Sequence, residues 1–307
     1  MTTRTFPPGS RWADFKLYCD ETTADRLVPG AIAPLADELE REGVIASWFF
    51  VRDADPSHHL RVRFDLAGGD GWSTVSARVH DLAGKVLPGK ALPGKAPPGK
   101  AAPRKAQPET YERELERYGL PTIELSERIF HRDSQMAARA IALVQEAGNE
   151  DLRWQFGLLA MMRILDDFAL SLSEQLRLLE AVRQRLLKRL LAEDGASKTL
   201  AGQITRQYRE KREAIEQVLD PARHPFEPWV RFVELLEMRA HATALERFEL
   251  LSLARGGRLT VPLGALHAGY LHTFCNRLFA SGQRRHELTL VTFLSKHVDA
   301  RLAKLRE

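Results

Sequence analysis

Apolar and polar residues alternate in three short stretches near the N-terminus, and a period of two is typical of β-strands. The first stretch covers residues 12–19, and the other two cover 46–52 and 59–64. The segment that joins the last two is rich in Asp, Pro and Ser, which form turns, so the pair predicts a β-hairpin. Residues 24–42 carry apolar positions at helical spacing and predict a helix that ends at Gly43.

After Pro121 the hydrophobic pattern changes to the helical period and keeps it almost to the last residue. It predicts helices at 123–146, 151–193, 198–218, 227–253, 264–279 and 285–305, with a break in the second near Ser171, a good N-cap residue. Strands followed by a run of helices favour the α+β class. We therefore predict a small antiparallel sheet with a hairpin in the N-terminal third, followed by a predominantly helical C-terminal two-thirds.

One segment has a different composition from the rest of the chain. Between residues 84 and 108 a Gly-Lys pair recurs every five residues and prolines are frequent. Proline removes backbone donors and glycine adds chain entropy, so the composition of this segment predicts a flexible cationic insertion. We expect the whole chain, residues 1–307, to form a single domain that carries this insertion. Its lysines would suit an acidic peptide or tRNA, but the composition favours a solvated insertion with no specific role.

Composition and charge exclude several classes of protein. The chain has 307 residues, 44% of them hydrophobic, and a net charge of +4, which is too mild to predict direct nucleic-acid binding. Its two cysteines, Cys19 and Cys275, suit a reducing compartment, and no Cys and His spacing predicts a metal. There is no Gly-rich dinucleotide turn and no apolar run of about 20 residues. We expect a cytoplasmic protein with no membrane span, metal or cofactor.

The predicted hairpin carries the first candidate site. Arg52, Arg61 and Arg63 lie among apolar and aromatic neighbours, next to His59. Strand alternation puts Arg61 and Arg63 on one face and apolar side chains on the other. A guanidinium group holds a carboxylate through two hydrogen bonds, so this face predicts either a carboxylate-binding wall or an ordinary polar outer face of a sheet.

Two further groups of residues could carry chemistry. In the predicted helix at 264–279, His272 and Asn276 are four residues apart and share one face, with Arg277 beside them. Histidine is suited to general acid or base catalysis, although a helical histidine is also a common packing residue. The dense alternating charges of residues 110–119 predict ion pairs at the surface.

In order along the chain, five segments resemble the signature blocks of one family. They are WADFKLYC, WFFVRDADPSHHLRVRF, TYERELERYG, ERIFHRDS and LHTFCNRLF, and they span residues 12 to 279. Together they are similar to the thiopeptide-type bacteriocin biosynthesis domain, which is the elimination domain of lantibiotic dehydratases. Asp53 stands where a Tyr is common in the family, and Leu120 stands where a second Gly is common.

The resemblance implies a reaction on a precursor peptide of a ribosomally made natural product. A separate partner would esterify Ser or Thr with glutamate from glutamyl-tRNA, and this domain would eliminate the glutamate to leave dehydroalanine or dehydrobutyrine. The family's elimination site is built from arginines and a histidine. The matching residues here are Arg52, Arg61 or Arg63, and His272.

On this resemblance, His272 is expected to transfer a proton, and Arg52 and Arg61 to hold the glutamyl carboxylates or the developing enolate. Arg63, His59, Asn276 and Arg277 are expected to bind or orient the substrate.

Two other functions stay open. One is a pyridine synthase, which joins two dehydroalanines in a formal 4+2 cycloaddition and releases the leader peptide. The other is a non-catalytic subunit whose hairpin edge binds the leader as an added strand. The arginine and histidine blocks favour elimination, because a cyclase has no glutamate to bind.

Overall fold

A computed structural model describes residues 3–55, 57–68, 71–86, 106–194, 198–220 and 227–306. By its internal contacts the chain divides into two compact units, Met1–Ala142 and Leu143–Glu307. The α+β class predicted from the sequence is confirmed, with small antiparallel sheets in the N-terminal third and a mainly helical remainder. None of the helices in the described ranges is both long and apolar enough to cross a lipid bilayer.

The first unit contains both small sheets. Its elements are β1 Thr5–Phe6, β2 Trp12–Tyr18, α1 Glu21–Leu27, a π-helical segment Val28–Ile32, α2 Ala33–Arg41, β3 Ile45–Asp53, β4 His59–Leu66, α3 Gly71–Val86, β5 Ala106–Glu109, β6 Tyr111–Glu112, α4 Leu115–Tyr118 and most of α5 Ile123–Ala147. The predicted hairpin is β3 and β4, and the predicted first strand is β2. The predicted helix at 24–42 is divided into α1, the π segment and α2, because Pro29 and Pro34 interrupt the regular backbone hydrogen bonds.

The larger sheet is antiparallel, with the strands in the order β3-β4-β2-β5, and β1 pairs with β6 in a separate ladder. Its apolar face carries Phe15, Phe50 and Phe64, which are fully buried. Trp72 of α3 stacks on Phe15 at 5.6 Å between ring centroids, so α3 covers part of this face. Pro108 is tolerated in β5 because β5 is an edge strand, where one row of backbone donors needs no partner.

The bounds of the predicted 84–108 insertion need correction. Residues 84–86 form the last turn of α3, and residues 106–108 belong to β5. The buried face of α3, which includes Val75, Val79 and Ala83 at helical spacing, carries the helix to Val86. Pairing with β2 extends the sheet to Ala106. The rest of the Gly-Lys repeat, residues 87–105, lies outside the described residues.

The described part of the second unit is helical. Its helices are α6 Asp151–Asp167, α7 Leu172–Asp194, α8 Lys198–Glu210, α9 Arg212–Val218, α10 Trp229–Ala242, α11 Ala244–Arg255, α12 Leu263–Leu278 and α13 Gln283–Lys304. The predicted break near Ser171 is confirmed. The Ser171 amide donates to Glu174 Oε2 at 2.9 Å, and the Glu174 amide donates to Ser171 Oγ at 3.4 Å, which is a capping box.

Candidate functional site

In the first unit, the strand register decides which arginines share a face. Arg61 lies opposite Val51, Arg63 opposite Phe49, and Arg52 opposite Leu60. Directly opposed residues of an antiparallel pair point to the same side of the sheet. Arg61 and Arg63 therefore share one face, as the alternation predicts, and Arg52 lies on the other.

Arg61 and Arg63 are joined by a carboxylate that the sequence analysis did not single out. Asp14 of β2 is 0% exposed, and its Oδ2 accepts hydrogen bonds from Arg61 Nη2 at 2.6 Å and from Arg63 Nε at 3.2 Å. One carboxylate thus contacts two guanidinium groups, and on the same face Lys16 pairs with Glu109 at 3.5 Å. The Arg61 side chain is 22% exposed, so its guanidinium group can meet an anion from solvent.

Arg63 lies deeper than Arg61, among aromatic rings. Its guanidinium carbon is 4.4 Å from the centroid of the Tyr111 ring and 5.3 Å from that of Phe49. Burial by itself would lower the pKa of Arg63, but the carboxylate of Asp14, together with Tyr111 and Glu114, outweighs burial and raises that pKa. Arg63 therefore stays charged at every working pH.

Behind Arg63, the segment 110–119 is more buried than predicted. Arg113 donates to Glu127 from Nε at 2.8 Å and from Nη2 at 2.6 Å, and Tyr111 Oη donates to the same carboxylate at 2.8 Å. Arg113 and Glu127 are both buried, so the prediction of surface pairs is wrong for Arg113. It was wrong because the two partners are 14 residues apart and meet only in the fold. The exposed Arg117 and Glu114 do form a surface pair.

The remaining candidates of the first unit are buried. The Arg52 side chain is 1% exposed, and its Nη2 donates to Asp25 Oδ1 of α1 at 2.8 Å. His59 is also fully buried, with Nδ1 2.8 Å from the Ser57 carbonyl oxygen. Burial lowers the pKa of His59, which favours the neutral ring. Both side chains have internal partners, and their assignment to the substrate stays a prediction.

In the second unit, α12 is buried almost all round. From residue 266 to residue 279 every side chain is buried except His272 and Asn276. These two are four residues apart, so they form one small window on a single face of the helix. Arg277 is fully buried, so only His272 and Asn276 of the predicted trio reach this window.

His272 has a partner that the sequence analysis missed. Its Nδ1 lies 2.7 Å from Oε2 of Glu287 on α13. The His272 side chain is 29% exposed, whereas that of Glu287 is 3% exposed. A carboxylate at Nδ1 accepts a hydrogen bond from that nitrogen and leaves Nε2 as the atom available for proton transfer. No group of three or more His, Cys, Asp or Glu side chains that could hold a metal occurs in the part of the chain that the structure describes.

A groove in the first unit lies apart from these residues. It has a volume of about 130 Å³ and is lined by Pro29, Ala33, Pro34, Asp37, Trp48, Gln135, Ala138, Arg139 and Ala142. None of the predicted site residues lines it. Because its walls are mostly apolar and bear a single pair of opposite charges, we assign it no chemistry.

The outer edge of β3 is covered by side chains of α5. The amide nitrogen of Trp48 lies 3.2 Å from Nδ1 of His131, and that of Phe50 lies 3.2 Å from Oγ of Ser134. His131 and Ser134 are three residues apart and so lie on one face of the helix. At these two positions side chains of α5 lie against the backbone of the hairpin edge, and Nδ1 of His131 is also 3.0 Å from the Trp48 carbonyl oxygen.

Comparison with known proteins identifies the family. The family model described as lantibiotic biosynthesis dehydratase, C-terminal, matches residues 12–298. The chain therefore belongs to the lantibiotic dehydratase C-terminal family, and the resemblance read from the sequence is confirmed.

Among curated proteins the chain is similar to subtilin biosynthesis protein SpaB of Bacillus subtilis, with 28% identity over 174 residues. That match covers 56% of this chain and 16% of SpaB, so the chain spans a small part of this relative's length.

Two solved structures share the fold. The tRNA-dependent lantibiotic dehydratase MibB of Microbispora sp. 107891 matches with a TM-score of 0.73 and 19% identity, over 100% of this chain and 29% of MibB. The pyridine synthase TbtD from thiomuracin biosynthesis matches with a TM-score of 0.63 and 17% identity, over 96% of this chain and 100% of TbtD. At these identities the likeness shows the fold alone.

Proposed function

We propose that this chain eliminates glutamate from glutamylated Ser or Thr residues of a ribosomally made precursor peptide and leaves dehydroalanine or dehydrobutyrine. A separate enzyme that uses glutamyl-tRNA would supply the glutamylated substrate. The observation that carries the proposal is the cluster of Arg61, Arg63 and Asp14, because its two guanidinium groups suit a leaving group with carboxylates. Membership in a family of dehydratases supports an enzymatic role.

The reaction needs a base and a positive charge. Removal of the α-proton builds negative charge on the peptide carbonyl, and glutamate then departs as an anion. In this proposal His272 takes the proton and Asn276 orients the peptide beside it. Arg61, the more exposed arginine at Asp14, is proposed separately as a group that binds a carboxylate. Arg52, His59 and Arg277 are buried and are given no step here, and their contact with the substrate stays a prediction.

The decisive experiment offers the purified protein two peptides and follows both by mass spectrometry. One carries glutamyl-Ser esters behind its leader, and the other already carries dehydroalanines. We expect loss of glutamate from the first and no change in the second.

A matched pair of variants tests the role of the arginines. Arg61→Ala should slow elimination about 100-fold, the typical cost of losing one group that stabilises developing charge. Arg78→Ala removes an arginine of α3 that pairs with Glu42 at the surface, and it should leave the rate unchanged. Equal rates in the two variants would remove the cationic cluster from the mechanism.

A second candidate function is pyridine synthesis, which the match to TbtD over that protein's whole length favours. Ring formation and leader release from the dehydroalanine peptide would establish it and displace elimination. The hypothesis of a non-catalytic leader-binding subunit is weakened by the covered edge of β3, where an added strand would need the donors of Trp48 and Phe50. Binding of the leader with no change in either peptide would restore it.

A further inference from the structure

Glu287 is a buried carboxylate in an apolar part of the second unit. Its neighbours on α13, Leu288 and Val291, are fully buried, and so is Cys275 on α12. Removing a carboxylate from water is costly unless a hydrogen-bonding partner compensates for it. The partner that compensates Glu287 is His272, whose Nδ1 lies 2.7 Å from Oε2.

The influence of Glu287 also reaches the thiol of Cys275, which lies on α12 near the histidine. Burial raises the pKa of Cys275 well above its ordinary value, and Coulomb repulsion by Glu287 raises it further. The carboxylate of Glu287 thus makes it harder for the thiol of Cys275 to ionise to a thiolate.

The geometry selects one tautomer of the ring. A carboxylate is only an acceptor, so the nitrogen that contacts it must carry the hydrogen. Nδ1 of His272 is therefore protonated, and Nε2 holds the lone pair on a side chain that is 29% exposed. A ring in the other tautomer would set two acceptors against each other at 2.7 Å.

We propose that Glu287 is a positioning residue that holds His272 in the Nδ1–H tautomer and stabilises the imidazolium when Nε2 accepts a proton. This inference rests on the proposed function. In the elimination step, Nε2 takes the α-proton of the glutamylated Ser, and the electrons of the Cα–H bond form the Cα=Cβ bond. The bond from Cβ to oxygen breaks, glutamate leaves with that electron pair, and the proton on Nε2 then passes to water.

The first test needs no variant. In protein labelled with ¹⁵N-histidine, the NMR spectrum at about pH 8 should show His272 with Nδ1 protonated and Nε2 unprotonated, and His272→Ala assigns the signal. Glu287→Gln should add the other tautomer, because an amide both donates and accepts. A wild-type ring that is protonated at Nε2 overturns the inference.

The second test is kinetic and uses the glutamylated peptide. Glu287→Gln should lower kcat about 10- to 100-fold and leave KM nearly unchanged, as is typical when the partner of a functional histidine is lost. Glu287→Asp keeps the charge and should recover part of kcat. The control is Glu174→Gln, which alters a capping carboxylate of the same unit and should leave kcat unchanged.

The outcomes separate the two proposals. If elimination occurs and Glu287→Gln keeps the wild-type kcat, the positioning role is overturned. If the wild-type protein does not act on the glutamylated peptide while the tautomer changes as expected in Glu287→Gln, the proposed function fails and the positioning of His272 stands.

Discussion

At the scale of single residues, the cationic face depends on Asp14. This carboxylate has no solvent exposure and contacts both Arg61 and Arg63. A buried ion pair is a weak source of net stability, but removal of one partner leaves the other charge buried without compensation. The two arginines are therefore held in place by a group that does not itself face the solvent.

Asp14→Asn should lower the free energy of unfolding by about 3 kcal/mol, because two guanidinium groups then lose the carboxylate that both contact. Urea denaturation of both proteins measures the difference. The control is Glu116→Gln, which breaks the exposed pair with Arg4 in the same unit and should leave the stability unchanged. Wild-type stability in Asp14→Asn would show that the arginines are held by other contacts.

The two thiols illustrate how burial suppresses reactivity. Burial raises the pKa of Cys19 to about 12 and that of Cys275 well above its ordinary value, so neither forms a thiolate near neutral pH. The proposed product, dehydroalanine, is an electrophile that thiolates attack. A protein that makes it benefits when its own cysteines are both buried and protonated.

At the scale of secondary structure, the second unit packs three helices closely at one glycine. A Cβ atom on Gly157 of α6 would lie 3.0 Å from Leu290 Cδ1 on α13 and 3.1 Å from Leu278 Cδ2 on α12. Both leucines are buried and have little room to move. The glycine is therefore needed for packing and not for its backbone freedom.

Gly157→Ala should lower the free energy of unfolding by about 1 kcal/mol, because the cost of overpacking exceeds the gain in helix propensity. Gly202→Ala is the matched control, since a Cβ there meets nothing within 4 Å and α8 should gain stability. Chemical denaturation of the two variants should give changes of opposite sign. Stabilisation by both would mean that α12 and α13 repack without strain.

Most elements could be predicted from the sequence because their hydrophobic patterns are strong. The hairpin, β2, α5 and the break at Ser171 all follow from local periodicity and turn or cap residues. Among the elements that were not predicted, two illustrate different reasons. β5 has no strong pattern of its own and forms because it pairs with the edge of β2. α3 has a short buried face, and its last turn contains the first Gly-Lys pair of the repeat.

The candidate site was only half predictable, because the sequence shows side chains but not their partners. Arg61, Arg63 and His272 could be named from their patterns. Asp14 is 47 residues from Arg61, and Glu287 is 15 residues from His272, so both pairings are made by the tertiary fold. Along β2 the residues Trp12, Asp14 and Lys16 share one face and alternate with apolar residues on the other. This pattern could have drawn attention to Asp14.

At the scale of the whole molecule, two neighbouring groups of the first unit make stability depend on pH in opposite directions. Burial lowers the pKa of His131 from 6.5 to about 4, so folding becomes less favourable as the pH falls through this range. Burial, with repulsion by Asp37, raises the pKa of Glu40 from 4.5 to about 7. Nδ1 of His131 and Oε1 of Glu40 are 3.7 Å apart, yet at no pH are both groups charged, so this contact is not a salt bridge.

Between pH 4.5 and about 7 the folded protein holds a proton on Glu40 that the unfolded chain has released, so this group makes stability fall as the pH rises. The side chain of the Glu40→Gln variant cannot ionise. When the pH rises from about 5 to about 8, the free energy of unfolding should therefore fall by about 1 kcal/mol less in this variant than in the wild type, a value reduced for partial solvent screening. Urea denaturation at the two pH values measures this difference. The control is Glu38→Gln, a change at an exposed position of the same helix, which should keep the wild-type dependence of the free energy of unfolding on pH. The same dependence in all three proteins would mean that Glu40 ionises normally in the folded protein.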